Sequence, residues 1–420
     1  MKALVIGRAK WLSGTCLMTC LFFLGINIAR AETVINSGTT FTINLGVTVV
    51  EYGNLDNQNT TTSNLGPGTF EFSGTTAQTI SGPNLFTNLT INNTAGVSLT
   101  GLKDNQVNGY LTLTKGLLTL GSLNLLLGPS ASVVGTPSSS AMVVVTGTGE
   151  LRKEFSGLSS FTYPVGDAFG TAEYSPVTAN FFGGTFSSGN YLGVNLRNER
   201  DPAIGTANYL LRYWTLNSNN ISNVNCQLTF NFLLADVIGT IGDLYCLKTV
   251  PAPLVAYNKY VSGYQLTGSV TSFSRFTGAN IIDVTPNITA EPSIMHGIQN
   301  FNIIVQVTEL NFGSTNGLIT VLIPKDTRWG LTYLPLAEMI GTTPVNNSAW
   351  SYNSTDASFH IFTSTSVINK GANSKFGFTA LWNAGATTGS ANITAQITSW
   401  SGGEYRIDNN VDAEKLDYFY

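Results

Sequence analysis

Ionisable side chains are scarce in this 420-residue chain, in which only 10% of the residues are charged and two are histidines. The chain has no His-Glu-x-x-His motif and no Gly-x-Ser-x-Gly elbow. His360 lies in an alternating strand pattern, and His296 precedes a glycine in an expected loop. We therefore predict no metallohydrolase or serine hydrolase site, and no catalytic or ligand role for either histidine.

Long apolar runs are confined to the N-terminus, where residues 1–31 have the pattern of a secretory signal peptide. Lys2, Arg8 and Lys10 precede an apolar stretch, and Ala29-Arg30-Ala31 offers a small-x-small cleavage site. A retained anchor and a lipid-modified Cys20 are the weaker alternatives. Beyond residue 31 no run of about 18 apolar residues occurs. We expect an exported protein, extracellular or on the outer cell surface, without a transmembrane segment in the mature chain.

Positive charge is also limited. The signal peptide holds four of the 20 basic residues and none of the 24 acidic ones, so the mature chain has 16 against 24, a net charge of −8. Nucleic acids and anionic membranes bind proteins through basic surfaces. We therefore predict that neither is a partner.

Cysteine is rare as well. Only Cys226 and Cys246 remain after signal removal. In an oxidising compartment they could form a disulfide that closes a loop of about 20 residues and contributes roughly 3 kcal/mol. Two buried reduced thiols on neighbouring strands are the alternative, and neither arrangement is catalytic.

Short strand-like runs fill residues 32–150, and no segment after the signal peptide has sustained helical periodicity. The runs begin near residues 70, 89, 111, 123 and 143, at steps of 19, 22, 12 and 20. Such steps are typical of the coils of a β-solenoid, in which each coil stacks an apolar row inward. An antiparallel sandwich is the alternative.

Two further modules are predicted, which makes the fold class all-β: a short β-solenoid followed by two β-sandwich (Ig-like) modules. A charged cluster at residues 150–154 marks the end of the solenoid, and alternating strands then indicate a β-sandwich over residues 151–281. Residues 283–292 have two prolines and no clear alternation, which suggests a linker. Residues 282–420 are predicted to form a C-terminal Ig-like β-sandwich.

Several segments resemble large adhesin-like surface proteins of bacteria that use type IX secretion. They are residues 68–80, 86–91, 164–167, 174–177 and 212–215. The C-terminal part, at residues 368–371 and 408–410, resembles bacterial immunoglobulin-like surface repeats. The resemblance implies a β-helical stretch followed by β-sandwich modules at the cell surface. It names no ligand, and without a recognisable sorting domain it leaves the export route and anchoring open.

Carboxylates decide whether the solenoid could be an enzyme. Polysaccharide hydrolysis needs two acids across one bond, about 5 to 9.5 Å apart. Solenoid stacking could bring Glu51 next to Glu71, but no pattern marks this pair. We predict a protein without catalytic activity, with a polysaccharide-degrading β-helix enzyme as the less favoured alternative.

Aromatic and oxygen-bearing side chains supply two weaker hypotheses. Trp329, Trp350 and Trp400 lie near expected turns, where exposed rings could stack on sugars in a lectin-like surface module. Oxygen ligands near the C-terminus could form a weak calcium site, and the candidates are Asp408, Asp412 and Glu414. No other cofactor is expected. The function predicted is structural or adhesive, with glycans, extracellular matrix or further copies of the chain as partners.

Overall fold

The computed structural model describes residues 2–5, 33–38, 40–206, 208–251, 254–310 and 313–420. The predicted signal peptide falls outside this part, except for a strand at Lys2–Val5 that runs parallel to Val47–Glu51. Within the described residues the helices are four 3-10 turns: Leu234–Asp236, Ile241–Asp243, Asn347–Ala349 and Ser401–Gly403. None of the helices in those ranges is long and apolar enough to cross a membrane.

The chain divides into two compact units. The first unit comprises Met1–Asp201, Leu210–Val237 and Cys246–Gly278, and the second comprises Pro202–Tyr209, Ile238–Tyr245 and Ala279–Tyr420. The first unit therefore takes in the predicted solenoid and most of the strands that follow it.

A parallel β-solenoid of about six turns occupies residues 33–166, which confirms the predicted solenoid. Its last side-one strand, Val165–Asp167, lies beyond the predicted end at residue 150. It has three sides, each a stack of parallel strands. Side one is built from Thr33–Asn36, Asn54–Asn57, Gln78–Ser81, Val97–Thr100, Leu118–Thr119, Val143–Val144 and Val165–Asp167. Side two contains Ser63–Asn64, the first halves of Asn84–Asn92 and Asn105–Lys115, then Leu125–Leu127 and Leu151–Lys153.

Side three contains Val47–Glu51, Thr69–Phe72, the second halves of Asn84–Asn92 and Asn105–Lys115, and Ser132–Gly135. The irregular step of 12 residues in the sequence arises because Leu111 lies on side three whereas Leu125 lies on side two. On side one alone the strands begin at residues 33, 54, 78, 97, 118, 143 and 165.

Strand alternation generates the core of the solenoid. Val49, Phe70, Leu89 and Leu111 stand in register on successive coils of side three and are buried. Their neighbours in each strand point outward, as expected from the two-residue period of a strand. Each coil thus buries one apolar row against the next.

Buried amides join the coils at the corner between sides one and two. The Asn57 Nδ2 donates to Asn84 Oδ1 at 3.1 Å, and the Asn84 Nδ2 donates to Asn105 Oδ1 at 2.9 Å. We call these three residues the asparagine ladder. At another corner Gly116 has a φ of +87° and lies so close to the carbonyl oxygen of Asn93 that a Cβ atom would be 1.6 Å from it. Only glycine fits at this turn.

Antiparallel strands follow the solenoid in the first unit. Leu151–Lys153 pairs in parallel with Leu125–Leu127 and antiparallel with Val177–Arg197, which ends the parallel stacking on side two. Val177–Arg197 also pairs with Tyr209–Asn231. The other strands are Ser160–Tyr163, Glu173–Tyr174, Val237–Ile238, Tyr245–Lys248, Val255–Lys259, Gln265–Val270 and Arg275–Ala279.

The second unit contains two sheets that share one apolar core. The four-stranded sheet has the order Val284–Glu291, Gln299–Glu309, Asn373–Trp382 and Trp329–Thr332. The six-stranded sheet has the order Ile294–His296, Val411–Phe419, Gly389–Ile397, Ile319–Pro324, Phe359–Ser364 and Ser351–Asn353. A short hairpin joins Met339–Ile340 to Thr343–Pro344.

The predicted linker at residues 283–292 is wrong. Val284–Glu291 is a strand of the four-stranded sheet, paired with Gln299–Glu309. One face of this strand is buried and includes Pro286, Ile288 and Ala290. The alternation was not recognised in the sequence because a proline occupies one buried position.

Candidate functional site

The three tryptophans predicted to face a ligand differ in exposure. Trp329 is only 7% exposed and stacks on Phe378, and Trp350 is 3% exposed and donates its Nε1–H to Ser374 Oγ at 3.0 Å. Trp400 is 52% exposed. Of the three rings, only that of Trp400 presents a surface to solvent.

The two histidines lie in different surroundings. The His360 Nδ1 is 2.8 Å from the Tyr352 hydroxyl, and its ring packs against Trp329. Burial, together with the charge of Lys325, lowers the pKa of His360 to about 4, so the ring is neutral at physiological pH. His296 is exposed and stacks on Phe419.

The three carboxylates predicted as a weak calcium site do not form one cluster. Asp408 pairs with Arg406, whereas Asp412 accepts hydrogen bonds from the backbone N–H of Ile288 and the side chain of Asn287. Glu414 lies further along the same strand as Asp412. Among the described residues no group of three or more His, Cys, Asp or Glu side chains could hold a metal ion.

Glu51 and Glu71 lie on opposite faces of side three. In the strand register Glu71 pairs with Val50 and faces outward, while Glu51 pairs with Phe72 and faces the core. Burial raises the pKa of Glu51 to about 7, against hydrogen bonds from the backbone of Gly53 and Tyr52. Because the sheet separates the two carboxyl groups, they cannot act on one glycosidic bond.

Cys226 and Cys246 are both free, buried thiols in the structure. Burial raises the pKa of Cys226 to about 12 and raises that of Cys246 further. Thiols in such surroundings are poor nucleophiles because the reactive thiolate is hardly populated.

Sequence reasoning missed a buried ionic cluster in the first unit. Arg212 is fully buried, and its Nη2 lies 2.9 Å from Asp167 and 3.2 Å from Asp236 and also pairs with Glu173. Burial raises the pKa of Glu173 and of Asp236, opposed by the charge of Arg212. These side chains come from three stretches of chain, at residues 167–173, 212 and 236, so no local motif could reveal the cluster.

The outer surface of side three is flat and almost without charge. Its outward side chains stand in two in-register rows, and we call this surface the flat face. One row is Thr48, Thr69, Asn88, Tyr110 and Ser132; the other is Val50, Glu71, Thr90, Thr112 and Val134. Glu71 is its only carboxylate, and it accepts hydrogen bonds from Ser73 Oγ at 2.6 Å and Asn92 Nδ2 at 2.7 Å.

A groove of about 360 Å³ borders the last coil of the flat face. One wall is Ser132–Gly135, which in the described chain pairs only with Asn105–Lys115. The other wall is Ser160–Tyr163, whose described pairing is with Val177–Arg197 alone. The rings of Phe161 and Tyr174 also line the groove.

Lys153 holds the Phe161 ring of this groove and the neighbouring turn at Gly128 and Pro129 in place. Its Nζ donates to the carbonyl oxygens of Gly128, Pro129 and Glu154 at 2.7 to 2.8 Å and lies 5.7 Å from the centroid of the Phe161 ring. Because all three donors of the ammonium group are used, the lysine fixes the turn and the ring rather than offering charge to a ligand.

Comparisons with known proteins give remote structural likeness without a family. No protein-family model matches the chain, and no curated protein matches it. A solved structure that is similar in part is the N-terminal domain of the Streptococcus gordonii adhesin Sgo0707, at 10% identity over 64% of this chain and 83% of that chain. Its TM-score of 0.24 is too low to support an argument about function. Type IX secretion and Ig-like repeats stay predictions.

Proposed function

We propose that this chain is a secreted or cell-surface structural and adhesive protein without catalytic activity, in which the flat face makes the adhesive contact. The observation that carries the proposal is the pair of in-register outward rows on side three, which hold mostly small, uncharged side chains together with the exposed Tyr110 ring and the carboxylate of Glu71. The rungs repeat about every 4.8 Å along the solenoid. A rigid, regular surface loses little side-chain entropy when it binds.

Partners of matching chemistry are neutral glycans and extracellular-matrix proteins. The net charge of −8 expected for the mature chain, and a flat face with one carboxylate, give no basic surface for nucleic acid or anionic lipid. Export by the N-terminal signal peptide is part of the same proposal, and the resemblance to surface proteins of bacteria with type IX secretion supports a cell-surface location.

Adhesion can be tested with the purified chain on a panel of immobilised glycans and matrix proteins, with and without calcium. The proposal predicts reproducible retention on at least one coat at micromolar concentration or below. A chain that stays unbound on every coat would contradict it, and a coat that is chemically degraded would point to the enzyme alternative.

A lectin-like site is the second candidate, and the exposure of Trp400 favours it. The ring contacts Tyr405 edge-on and leaves a face open to solvent. If this ring binds sugar, Trp400→Ala should abolish glycan binding while a substitution on the flat face leaves it intact. The reverse result would assign binding to the flat face.

A further inference from the structure

The groove between Ser132–Gly135 and Ser160–Tyr163 has the properties of a site for one additional strand. Both walls are edges of sheets, and each strand has a partner on only one side in the described chain. An edge strand leaves a row of backbone N–H and C=O groups available for pairing. An extended peptide between the two walls would present alternate N–H and C=O groups to each of them.

The place of the groove in the solenoid supports the same conclusion. On side three, Ser132–Gly135 is the last strand of the parallel stack, and among the described residues no strand of the next coil pairs with it. Ser160–Tyr163, which lies between side two and side one on that coil, pairs with Val177–Arg197 instead. Side two continues one coil further, to Leu151–Lys153. One strand position of side three is thus left without a strand among the described residues, where the parallel stack ends and the antiparallel strands begin.

The chemistry of the lining limits what can enter. Tyr174 is its only ionisable side chain; the rest are serine, threonine, valine, proline and phenylalanine. A charged segment would lose hydration without gaining an opposite charge. An uncharged segment with apolar or β-branched side chains can pack on the Phe161 and Tyr174 rings.

We propose that this groove binds an extended, uncharged segment of a partner protein, which adds as the missing strand of side three, parallel to Ser132–Gly135. Binding by strand addition gains affinity from backbone hydrogen bonds and specificity from alternate side chains. The inference rests on the adhesive function proposed above and names the chemistry of one partner site.

A fluorescently labelled peptide with the sequence Tyr-Leu-Thr-Leu-Thr provides the probe. It copies residues 110–114, part of the strand that already pairs with Ser132–Gly135 on its other side. Fluorescence anisotropy with the full chain should show saturable binding. Ser132→Arg, which puts bulk and charge into the groove, should weaken binding by about tenfold or more. Thr162→Arg, on the opposite wall, should have the same effect.

Thr69→Arg is the matched control, because Thr69 occupies the same outward row as Ser132 but lies three coils away from the groove along side three. It should leave peptide binding unchanged. Thr69→Arg alters the flat face and not the groove, and Thr162→Arg alters the groove and not the flat face, so failure of adhesion and failure of peptide binding are separate results. The unfolding temperature of each variant, compared with the parent chain, shows that lost binding is not lost folding.

Peptides N-methylated at alternate residues separate strand pairing from simple packing. Methylation of either alternate set should weaken binding, because the two sets of N–H groups point to the two walls. Equal binding of methylated and unmethylated peptides would overturn the proposal. So would binding of maltohexaose in place of the peptide, or self-association of the chain that Ser132→Arg abolishes, since these outcomes assign the groove to a sugar or to a second copy.

Discussion

The buried carboxyl group of Glu404 gives a testable prediction at the scale of a single residue. Glu404 is fully buried in the second unit, where it accepts hydrogen bonds from the Val284 backbone N–H at 3.1 Å and the Asn410 Nδ2 at 2.7 Å. Among the described residues, no Lys or Arg forms an ion pair with it. Burial raises the pKa of Glu404 to about 8, so the folded protein holds a proton that an unfolded chain releases near pH 4.5.

The proton on Glu404 makes stability depend on pH. Between pH 4.5 and about 8 the folded state binds more protons than the unfolded state, so the free energy of unfolding falls as pH rises. Glu404→Gln removes this dependence and should stabilise the second unit by on the order of 2 kcal/mol at pH 8.5. Asn410 Oδ1, which is buried without a hydrogen-bond partner, can accept from the new amide after a side-chain flip.

Thermal unfolding at pH 5 and pH 8.5 measures this effect. The parent chain should lose stability between the two values more steeply than Glu404→Gln does. Glu338→Gln, at an exposed position of the same unit, is the control and should follow the parent chain. A Glu404→Gln protein that is less stable than the parent at pH 8.5 would show that the carboxylate is charged and well solvated in the fold.

The exposure predicted for the tryptophan rings differs from the structure because it depends on tertiary packing. Trp329 and Trp350 lie near turns, as their sequence contexts indicated, but their rings turn inward onto Phe378 and Phe376. Exposure of a ring beside a turn depends on which apolar side chains lie beneath it, and those come from strands far away in sequence. The same holds for the carboxylates around Arg212.

Elements of the solenoid follow more directly from the sequence. Alternation identified its strands, because the inward rows are mostly apolar. It could not assign strands to the three sides, since this depends on where the corners turn. It also could not show the groove, since an unfilled rung is a property of how the coils end.

The asparagine ladder gives a prediction at the scale of elements. Asn84 accepts from Asn57, and its amide nitrogen donates to Asn105 Oδ1 and to the backbone oxygens of Ser81 and Gly82. Asn84→Ala removes the donor to Asn105 Oδ1 and one of the two acceptors of the Asn57 amide, which keeps the Pro83 carbonyl oxygen. It should lower the free energy of local opening by about 2–3 kcal/mol.

Hydrogen exchange of the backbone amides in residues 84–115 reports this opening. Asn108→Ala is the matched control, because its exposed side chain bonds only to Gln106 Nε2 in the described contacts and should change the opening energy by less than about 0.5 kcal/mol. Equal exchange in both variants would mean that the ladder does not join the coils.

The whole molecule combines a solenoid with uncharged outer rows and a second unit built as a two-sheet sandwich. All-β architecture and the solenoid were predicted from composition and strand spacing. The contact surface was not, because threonine-rich outward positions are found on all sides of a solenoid. On side three the strand register stacks two outward rows over five coils, and that register cannot be read from the sequence.

The central claim, that adhesion takes place on the flat face, can be tested directly by placing charges on that face. A triple variant, Thr69→Lys, Thr90→Lys and Thr112→Lys, places three positive charges on the flat face, while Thr79→Lys, Ser98→Lys and Thr119→Lys place the same charges on side one. Both proteins are compared with the parent chain for retention on the coat that the parent binds best. We predict a loss of about tenfold or more for the flat-face variant and little change for the side-one variant. Equal retention of both variants, or a loss confined to the side-one variant, would contradict the assignment of adhesion to the flat face.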